Sequence, residues 1–206
     1  MPSHQRVPSL QEFRFSTPTL AEAFGAACSL PSRIRPLVPS MRLAGQVTTV
    51  ALPEVDNLCL HHAIYRAKPG DVLVVKTPTG SEAGYWGELM SLAALERGLQ
   101  GLVIDGCVRD YTEMVALGFA VFATGLCPAG TGKRTECAGS LGVPLQFGDV
   151  RVNTGDAVFG DVNGVVVVPR NQLGLVYRRA KARAAKETKQ RVMIARGRKT
   201  LELFGR

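Results

Sequence analysis

The sequence predicts an α/β fold: a parallel sheet built from βαβ units, followed by an antiparallel segment and a C-terminal helix. In the first 124 residues, short β-branched runs alternate with helix-length segments, which is typical of parallel βαβ units. From Val143 onwards, short strands are instead separated by Gly, Asp and Asn, as in antiparallel hairpins. At 206 residues and 46% hydrophobic content, the chain is long enough for one well-buried core, so a single domain is expected.

The parallel part is predicted from β-branched runs and from apolar spacing. Thr17-Pro18 indicates an N-cap with proline at the first helical position, which predicts a helix through Phe24. Strands are expected at 46–52, 71–76, 101–105 and 119–124, and helices at 57–67 and 87–97. In the second of these helices, the apolar residues at helical spacing are Leu89, Leu92, Ala93 and Leu95.

The second half of the chain changes character. Residues 125–142 are expected to form a long loop, and loops of that length in a compact domain tend to be functional. From 143 to 169 the pattern predicts a β-meander with turns at Thr154-Gly155 and Asn163-Gly164. Residues 171–196 predict a basic amphipathic helix that Gly197 ends.

The composition favours a soluble cytoplasmic protein that does not contact a membrane. The start of the chain, MPSHQRVPSLQEFRFS, lacks the apolar centre of a signal peptide, and residues 1–15 are expected to be an N-terminal extension. No apolar run approaches the roughly 18 residues of a membrane span. The five cysteines are odd in number and never spaced C-x-x-C, so neither a disulfide framework nor a zinc site is predicted.

The net charge of +8 belongs to the C-terminal segment. Residues 171–206 contain eleven Lys or Arg and two Glu, whereas the preceding 170 residues carry a net charge of −1. A nucleic-acid-binding surface usually pairs such charge with aromatic or helix-end contacts to bases and phosphates. We therefore interpret the basic segment as a solvated helix face and do not expect a nucleic-acid partner.

Three short motifs allow alternative chemistries. The fragment CPAGTGKRT resembles a phosphate-binding loop, but Cys127 replaces its first glycine and Arg134 replaces the Ser or Thr that would bind Mg²⁺, which argues against nucleotide hydrolysis. Lys133 and Arg134 remain possible anion contacts. Lys76 ends a strand, where it could form a Schiff base or simply extend into solvent. Cys107 could be a nucleophile, although a small buried thiol is the simpler interpretation.

The strongest constellation combines Glu88 with Arg109 and Asp110. Gly87-Glu88-Leu89-Met90 stands at a predicted helix start, whose free N–H groups favour anions, so a substrate carboxylate could bind there. Twenty residues separate Glu88 from Arg109, enough for a helix and a strand before the chain returns to the same edge of the sheet. Arg109 suits a carboxylate or carbonyl oxygen, and two carboxylates suit Mg²⁺ or Mn²⁺. A structural salt bridge is the alternative explanation.

These residues, together with the tail FGDVRVNTGDAVFGDVNGVVVVP, resemble the family of 4-hydroxy-4-methyl-2-oxoglutarate aldolase and the regulator of ribonuclease activity A. The resemblance covers residues 16–204 and includes NLCLHHAIYRAKPGDVLVV. It implies a swivelling α/β/β/α sandwich that assembles as homotrimers, sometimes stacked into hexamers. It also implies that a C-terminal glutamate of a neighbouring subunit completes the site, for which Glu187 is the nearest match.

The resemblance further implies a divalent-metal-dependent aldolase that cleaves 4-hydroxy-2-oxo acids to pyruvate, with oxaloacetate decarboxylation as a side activity. Asp110 and Glu88 are then the metal residues, Arg109 stabilises the enolate, and the amides of Leu89 and Met90 bind the substrate carboxylate. A metal-bound water assisted by Glu187 would take the proton of the 4-hydroxyl group. The sequence departs from the family at Glu88, usually Asp, and at Lys76, more often Asp.

The competing expectation is a non-catalytic, protein-binding regulator of ribonuclease activity. Such regulators in this family lack the complete metal constellation. Its presence here therefore favours the enzyme.

Overall fold

The computed structural model describes residues 9–132 and 134–203, and it shows a mixed α/β domain with a C-terminal helix. The helices are α1 (Thr17–Phe24), α2 (Leu58–Arg66), α3 (Glu88–Glu96), α4 (Tyr111–Leu117), α5 (Leu173–Ala195) and α6 (Thr200–Leu203). The strands are β1 (Arg35–Pro36), β2 (Leu43–Ala51), β3 (Asp71–Lys76), β4 (Gly101–Asp105), β5 (Cys107–Val108), β6 (Ala120–Ala123), β7 (Gly125–Leu126), β8 (Ser140–Leu141), β9 (Leu145–Phe147), β10 (Val150–Val152), β11 (Ala157–Asp161) and β12 (Gly164–Val168).

The main sheet runs in the order β1-β6-β4-β3-β2-β11-β12, with β8 beside the end of β2. The pairs β2–β3, β3–β4 and β4–β6 are parallel, as predicted, whereas β11 is antiparallel to both β2 and β12. The two edges of the sheet are joined by residues 28–36, since Ser29 bridges to Val166 and β1 pairs with β6. The sheet is therefore nearly closed, like a barrel.

Alternating side chains of the parallel strands pack into two separate cores. In β3, Leu73 and Val75 face a core shared with α2, α3 and α4, while Val72 and Val74 face the interior of the nearly closed sheet. The β9–β10 hairpin fills that interior with apolar side chains. Because strands buried on both faces need continuous apolar runs, the sequence VLVV of β3 is explained.

Helices α1 and α5 pack together on the outer face of β11 and β12. Their apolar residues form a third core around Phe159, Leu20 and Val176. Beyond Ala180, no described residue of α5 is buried, and the helix ends before Gly197, whose φ of 89° is left-handed, as predicted. None of the helices in residues 9–132 and 134–203 is both long and apolar enough to cross a membrane.

The local structure differs from the sequence-based picture in three places. The cap of α1 is Ser16, whose hydroxyl accepts from the amide of Thr19, and Thr17 is already helical. The helix α4 was not predicted, because its seven residues, YTEMVAL, make only about two turns and lack a clear apolar period. The expected meander is instead two hairpins in different sheets, since β10 pairs only with β9 and β11 turns back to β2.

Three of the four apolar residues predicted to form the stripe of α3 face away from the core, and only the fourth, Ala93, packs against it. Leu89 is 75% exposed, and Leu92 and Leu95 are each exposed by about two fifths (42% and 41%). Met90 and Ala94 supply the buried contacts instead. An apolar stripe left in solvent on a helix at the edge of a site is typical of an interaction surface.

The expectation of unpaired cysteines was also wrong. Cys59, near the start of α2, forms a disulfide with Cys137, and their Cα atoms are 5.1 Å apart, within the range that disulfides require. Because 78 residues separate the two cysteines, their spacing gave no signal. The bond fastens the long loop between β7 and β8 to α2, while Cys28, Cys107 and Cys127 are free.

Candidate active site

Arg109 and Asp110 lie in the connection between β5 and α4, just beyond the carboxyl end of β4. The short strands β5 and β7 pair in parallel, and Gly84 forms a further bridge to Cys107. The amide of Arg109 donates to the carbonyl oxygen of Trp86 at 2.9 Å. These backbone bonds bring Arg109 and Asp110 to the start of α3, as the predicted return of the chain to the same sheet edge requires.

Asp110 has an unusual backbone conformation. With φ 57° and ψ 45°, it is the one non-glycine residue with positive φ in the described ranges. Left-handed geometry disfavours residues with a Cβ, and such strain is concentrated at functional sites. Although Asp110 occupies the N-cap of α4, its side chain forms no capping bond there. Its carboxylate instead accepts from the amide of Glu88 at 3.2 Å.

Gly87 leaves the space that the Asp110 carboxylate occupies. A Cβ atom at residue 87 would lie 2.3 Å from Oδ2 of Asp110, far inside van der Waals contact. The carbonyl oxygen of Gly87 accepts from both the amide and the hydroxyl of Ser91, at 3.0 and 3.1 Å. The buried Ser91 in turn accepts from Trp86 Nε1 at 2.7 Å. The start of α3 is therefore fixed, and the missing side chain lets a carboxylate approach it.

The first turn of α3 presents free amides next to this carboxylate. In residues 9–132 and 134–203, the amides of Leu89 and Met90 form no hydrogen bond, as expected for the first turn of a helix. The Leu89 side chain is exposed, whereas Met90 is buried with its sulfur 3.6 Å from Nδ2 of Asn57. The two amides are suitable donors for an anionic group.

Arg109 lies beside Asp110 and lines a pocket. Its Nε is 3.8 Å from Oδ2 of Asp110, and both side chains are a little more than two fifths exposed (43% and 42%). The pocket has a volume of about 350 Å³ and is otherwise lined by Tyr111, Leu126, Cys127 and Pro128. Because the ion pair is loose and partly solvated, the guanidinium keeps donors for a ligand.

The carboxylates of Asp110 and Glu88 fit a hard divalent cation. The described residues contain no group of three or more His, Cys, Asp or Glu side chains that could hold a metal by themselves. Mg²⁺, however, is usually held by one or two carboxylates and keeps several waters. The oxygen-only donors suit that kind of site, and the Asp110 side chain is 42% exposed, so its carboxylate is accessible to a cation. The residues present therefore fit the implied metal.

Glu187 does not join this site within one copy of the chain. It lies in α5, where its carboxylate pairs with Nε of Arg183 at 2.9 Å and with Nη2 of Arg191 at 3.9 Å. The helix packs against α1 on the far side of the sheet. Among the described residues, no hydrogen bond or ion pair connects Glu187 to Arg109 or Asp110. A second copy is required if Glu187 is to take part.

Sequence reasoning missed a charged group at the ends of β3 and β4. The carboxylate of Asp105 accepts from Nε and Nη2 of Arg33 at 2.8 and 2.9 Å, and from Nζ of Lys76 at 2.5 Å. Burial alone would raise the pKa of Asp105, but the hydrogen bonds from Arg33 and Lys76 outweigh burial and hold it below its ordinary value. The pairing follows from the register of the sheet, in which Lys76 and Asp105 are partners. The sequence alone does not reveal that register.

The structure bears on the alternative chemistries that the sequence allowed for Lys76, Arg134 and Cys107. Nζ of Lys76 is engaged by the carboxylate of Asp105, whereas a Schiff base requires an amine that is free to attack a carbonyl carbon. Arg134 is held by Glu54 and by a bond from its amide to Asp56, so it is engaged in the fold, and Lys133 lies outside the described residues. Cys107 is half-buried with its sulfur 3.9 Å from Oγ1 of Thr124.

Comparison with known proteins gives a consistent result. The model of the RraA-like family, described as Aldolase/RraA, matches residues 17–167. A protein of Halalkalibacterium halodurans named "Putative 4-hydroxy-4-methyl-2-oxoglutarate aldolase" is 32% identical over 184 residues, which cover 89% of this chain and 87% of that protein.

Two solved structures share the fold. An uncharacterized protein from Pseudomonas syringae superposes with a TM-score of 0.79 at 26% identity, covering 94% of this chain and 95% of that one. The RNA-processing inhibitor RraA from Thermus thermophilis superposes with a TM-score of 0.68 at 25% identity, covering 75% of this chain and 92% of that one.

Proposed function

The chain belongs to the RraA-like family of aldolase and RraA proteins, and on that premise we propose that it is a divalent-metal-dependent aldolase. Its proposed substrates are 4-hydroxy-2-oxo acids, such as 4-hydroxy-4-methyl-2-oxoglutarate or 4-carboxy-4-hydroxy-2-oxoadipate, which it cleaves to release pyruvate. The observation that carries the proposal is the Asp110 carboxylate, held in a strained backbone conformation at the start of α3 beside Arg109. The name of the Halalkalibacterium relative supports it.

The roles of the residues follow from their placement. Asp110 would hold Mg²⁺ or Mn²⁺, with Glu88 oriented toward the remaining water ligands. When bound, the metal supplies a Lewis acid for the 2-keto oxygen. The amides of Leu89 and Met90 receive the substrate carboxylate, because they have no internal acceptor and stand at the positive end of the helix dipole.

Arg109 acts on the charge that develops during cleavage. As the C3–C4 bond breaks, its electron pair moves into the enolate of pyruvate, and the negative charge appears on the former keto oxygen. The guanidinium of Arg109 donates to that oxygen, which lowers the energy of the transition state more than that of the bound substrate. Loss of a carboxyl group from oxaloacetate yields the same enolate, so decarboxylation is proposed as a side activity.

The proton of the 4-hydroxyl group must leave as the second product becomes a carbonyl compound. The described part of one copy places no additional carboxylate in the pocket lined by Arg109 and Tyr111. We assign the proton to Glu187 of a second copy, acting directly or through a water. The site is then complete only in an oligomer, a homotrimer or a hexamer of stacked trimers.

The surface around the site supports assembly. Leu89, Leu92 and Leu95 of α3 are exposed, as are Tyr111 and Leu126 at the pocket. An apolar group of this kind, next to charged residues, is what an interface between subunits buries. Such an interface would also remove water from the enolate, which strengthens the contribution of Arg109.

The proposal is tested by a pyruvate-release assay across 4-hydroxy-2-oxo acids that differ at C4, with and without Mg²⁺. Metal-dependent release from at least one of them supports the aldolase. Absence of release from all of them, by a folded oligomer, refutes it.

The second candidate is a non-catalytic regulator of ribonuclease activity. It is favoured by the similarity to the RNA-processing inhibitor RraA of Thermus thermophilis. Such a regulator would bind its partner without metal and without pyruvate release. Inhibition of a ribonuclease that persists in Asp110→Asn would support this second function.

A further inference from the structure

A second pocket opens at the carboxyl ends of the parallel strands, and the proposed mechanism does not use it. We call it the Asp105 pocket. It has a volume of about 410 Å³ and is lined by Lys76 and the loop that follows β3, by Asp105 and Cys107, and by Arg33 and Thr124. In open α/β sheets, ligands bind at this end of the strands.

Two cations share one buried anion in the Asp105 pocket. The side chain of Asp105 is only 5% exposed, whereas those of Lys76 and Arg33 are 29% and 56% exposed. The bonds to Asp105 use Nε and Nη2 of Arg33 and one N–H of Lys76. Within residues 9–132 and 134–203, Nη1 of Arg33 forms no hydrogen bond, and Nζ of Lys76, besides its bond to Asp105, lies 4.9 Å from the centroid of the Phe147 ring. Asp105 therefore positions two cations that retain donors on their outer sides.

Glu82 also lines the pocket and opposes its positive charge. Its side chain is exposed, and within the described ranges it pairs with neither Arg33 nor Lys76. A solvated carboxylate at the rim acts weakly compared with two cations fixed on a buried carboxylate. The inner part of the pocket thus favours an anionic group.

The Asp105 pocket and the Arg109 pocket are neighbours along the chain, because both are lined by residues of the β5–β7 pair or by residues next to it. Cys107 and Thr124 line the first, while Arg109 and Leu126 line the second. Arg109 follows Cys107 by two residues, and Leu126 follows Thr124 by two residues. Arg109 and Thr124 flank the two strands, and their amides donate to the carbonyl oxygens of Trp86 and Gly106. Cα atoms two residues apart in an extended chain are roughly 7 Å apart. The terminal carbons of an extended five-carbon chain, with four bonds of about 1.5 Å, are roughly 5 Å apart, and the carboxylate oxygens add roughly 1 Å at each end.

We propose that the Asp105 pocket binds the second carboxylate of a dicarboxylic 2-oxo acid, and that Lys76 determines the preference for such ligands. Lys76 and the outer face of Arg33 donate to that carboxylate, while the 2-oxo acid end occupies the site at Arg109 and Asp110. The inference rests on the proposed function for the placement of the 2-oxo acid end. It adds a specificity residue, since Lys76 selects by charge at the far end of the ligand.

The test compares two ligands that differ only in the second carboxylate. 2-Oxoglutarate and 2-oxopentanoate have the same chain length, and neither has the 4-hydroxyl group that cleavage requires. Binding to the Mg²⁺-loaded full-length oligomer is measured by calorimetry for the wild type, Lys76→Met and Lys68→Met. Lys68 is an exposed lysine just before the start of β3, whereas Lys76 ends this strand. Lys68→Met therefore removes one positive charge at a position distant from the pocket.

The wild type should bind 2-oxoglutarate about tenfold or more tightly than 2-oxopentanoate, the scale of one charge-assisted hydrogen bond. Lys76→Met should reduce this ratio to nearly one and leave 2-oxopentanoate binding unchanged, while Lys68→Met keeps the ratio. Glu82→Gln should tighten 2-oxoglutarate binding, because it removes the opposing charge.

Equal binding of the two ligands by the wild type would overturn the inference, and so would no binding of either. An equal loss for both ligands in Lys76→Met would also overturn it, because a merely structural role predicts that result. Failure of the proposed function gives a different result from failure of this inference. In that case the preference for 2-oxoglutarate is present and depends on Lys76, yet no 4-hydroxy-2-oxo acid releases pyruvate.

Discussion

Oδ2 of Asp110 lies 3.2 Å from the backbone nitrogen of Glu88. A carboxylate from the start of α4 thus reaches the start of α3, and the strained backbone of Asp110 and the absent side chain of Gly87 make this possible. The contact joins two segments that are 22 residues apart in the chain. It places a negative group beside the amide of Glu88 and the guanidinium of Arg109, which is the feature on which the proposed chemistry depends.

Asp110→Asn should separate the metal role of this contact from its structural role. The amide oxygen of Asn can still accept from Glu88, and Asn tolerates left-handed geometry, so the fold should persist. Loss of the charge should lower metal-dependent pyruvate release on the order of 100-fold or more, the scale for removing one electrostatic stabiliser. The rate is measured across Mg²⁺ concentrations, with Asp149→Asn, an exposed Asp, as the matched control. Normal metal dependence in Asp110→Asn would refute the assignment of Asp110 as the metal-binding residue.

Gly87→Ala should displace the carboxylate without removing it. The new Cβ would lie 2.3 Å from Oδ2 of Asp110, so either that side chain or the start of α3 must move. A shift of about 1 Å at a reacting centre can reduce a rate roughly 100-fold. Gly174→Ala is the control, because a Cβ there meets only the end of Arg178 at 3.7 Å, and alanine favours a helix by about 1 kcal/mol. Full activity in Gly87→Ala would show that the position of the carboxylate is unimportant.

A complementation experiment tests whether Glu187 acts from a second copy. Asp110→Asn and Glu187→Gln should each be inactive alone. In mixed oligomers, roughly a quarter of the sites should combine an intact Asp110 with an intact Glu187 from a neighbour, if subunits mix at random. Co-expressed variants, verified as oligomers by light scattering, should therefore recover activity. If Glu187→Gln alone is fully active, a different group takes the proton.

The stability of the protein should fall below about pH 4 because of Asp105. Hydrogen bonds from Arg33 and Lys76 outweigh burial and lower the pKa of Asp105 in the folded state, whereas the unfolded value is about 3.9. The stabilisation is therefore fully present above about pH 4 and is lost as the pH falls from there through the folded pKa. Denaturant unfolding from pH 6 to pH 2 measures this loss. Asp105→Asn should show a smaller loss in that range, and an identical pH profile would contradict the argument.

The sequence was informative where local pattern and tertiary structure agree. The ranges of β3 and β4 were predicted to the residue, since their apolar runs lie between polar or glycine residues. The expected return of the chain to the sheet edge of Glu88 agrees with the hydrogen bond between the Glu88 amide and Asp110. Sheet register explains why the pairing of Lys76 with Asp105 was missed, because no local signal encodes it. Cys59 and Cys137 meet for the same reason, across a loop whose path only the tertiary structure determines.

The exposed leucines of α3 were not predicted for a different reason, which is the packing of the helix against the sheet. Its small residues Ser91 and Ala94 are buried so that the helix can lie close to the sheet, with Trp86 bonded to Ser91. Leu89, Leu92 and Leu95 are consequently left on the outer face. Apolar spacing predicted the helix but not which face is buried, because an interaction surface and a core face have the same period.

The central claim is that the enolate is stabilised by a metal at Asp110 and not by a Schiff base at Lys76. The most direct measurement is the rate of pyruvate release from 4-hydroxy-4-methyl-2-oxoglutarate after EDTA treatment, then after added Mg²⁺ or Mn²⁺, with borohydride and pyruvate as a covalent trap. We predict that EDTA abolishes the rate, that either metal restores it, and that borohydride leaves no adduct on Lys76. An EDTA-resistant rate together with a reduced pyruvyl adduct on Lys76 would contradict the account.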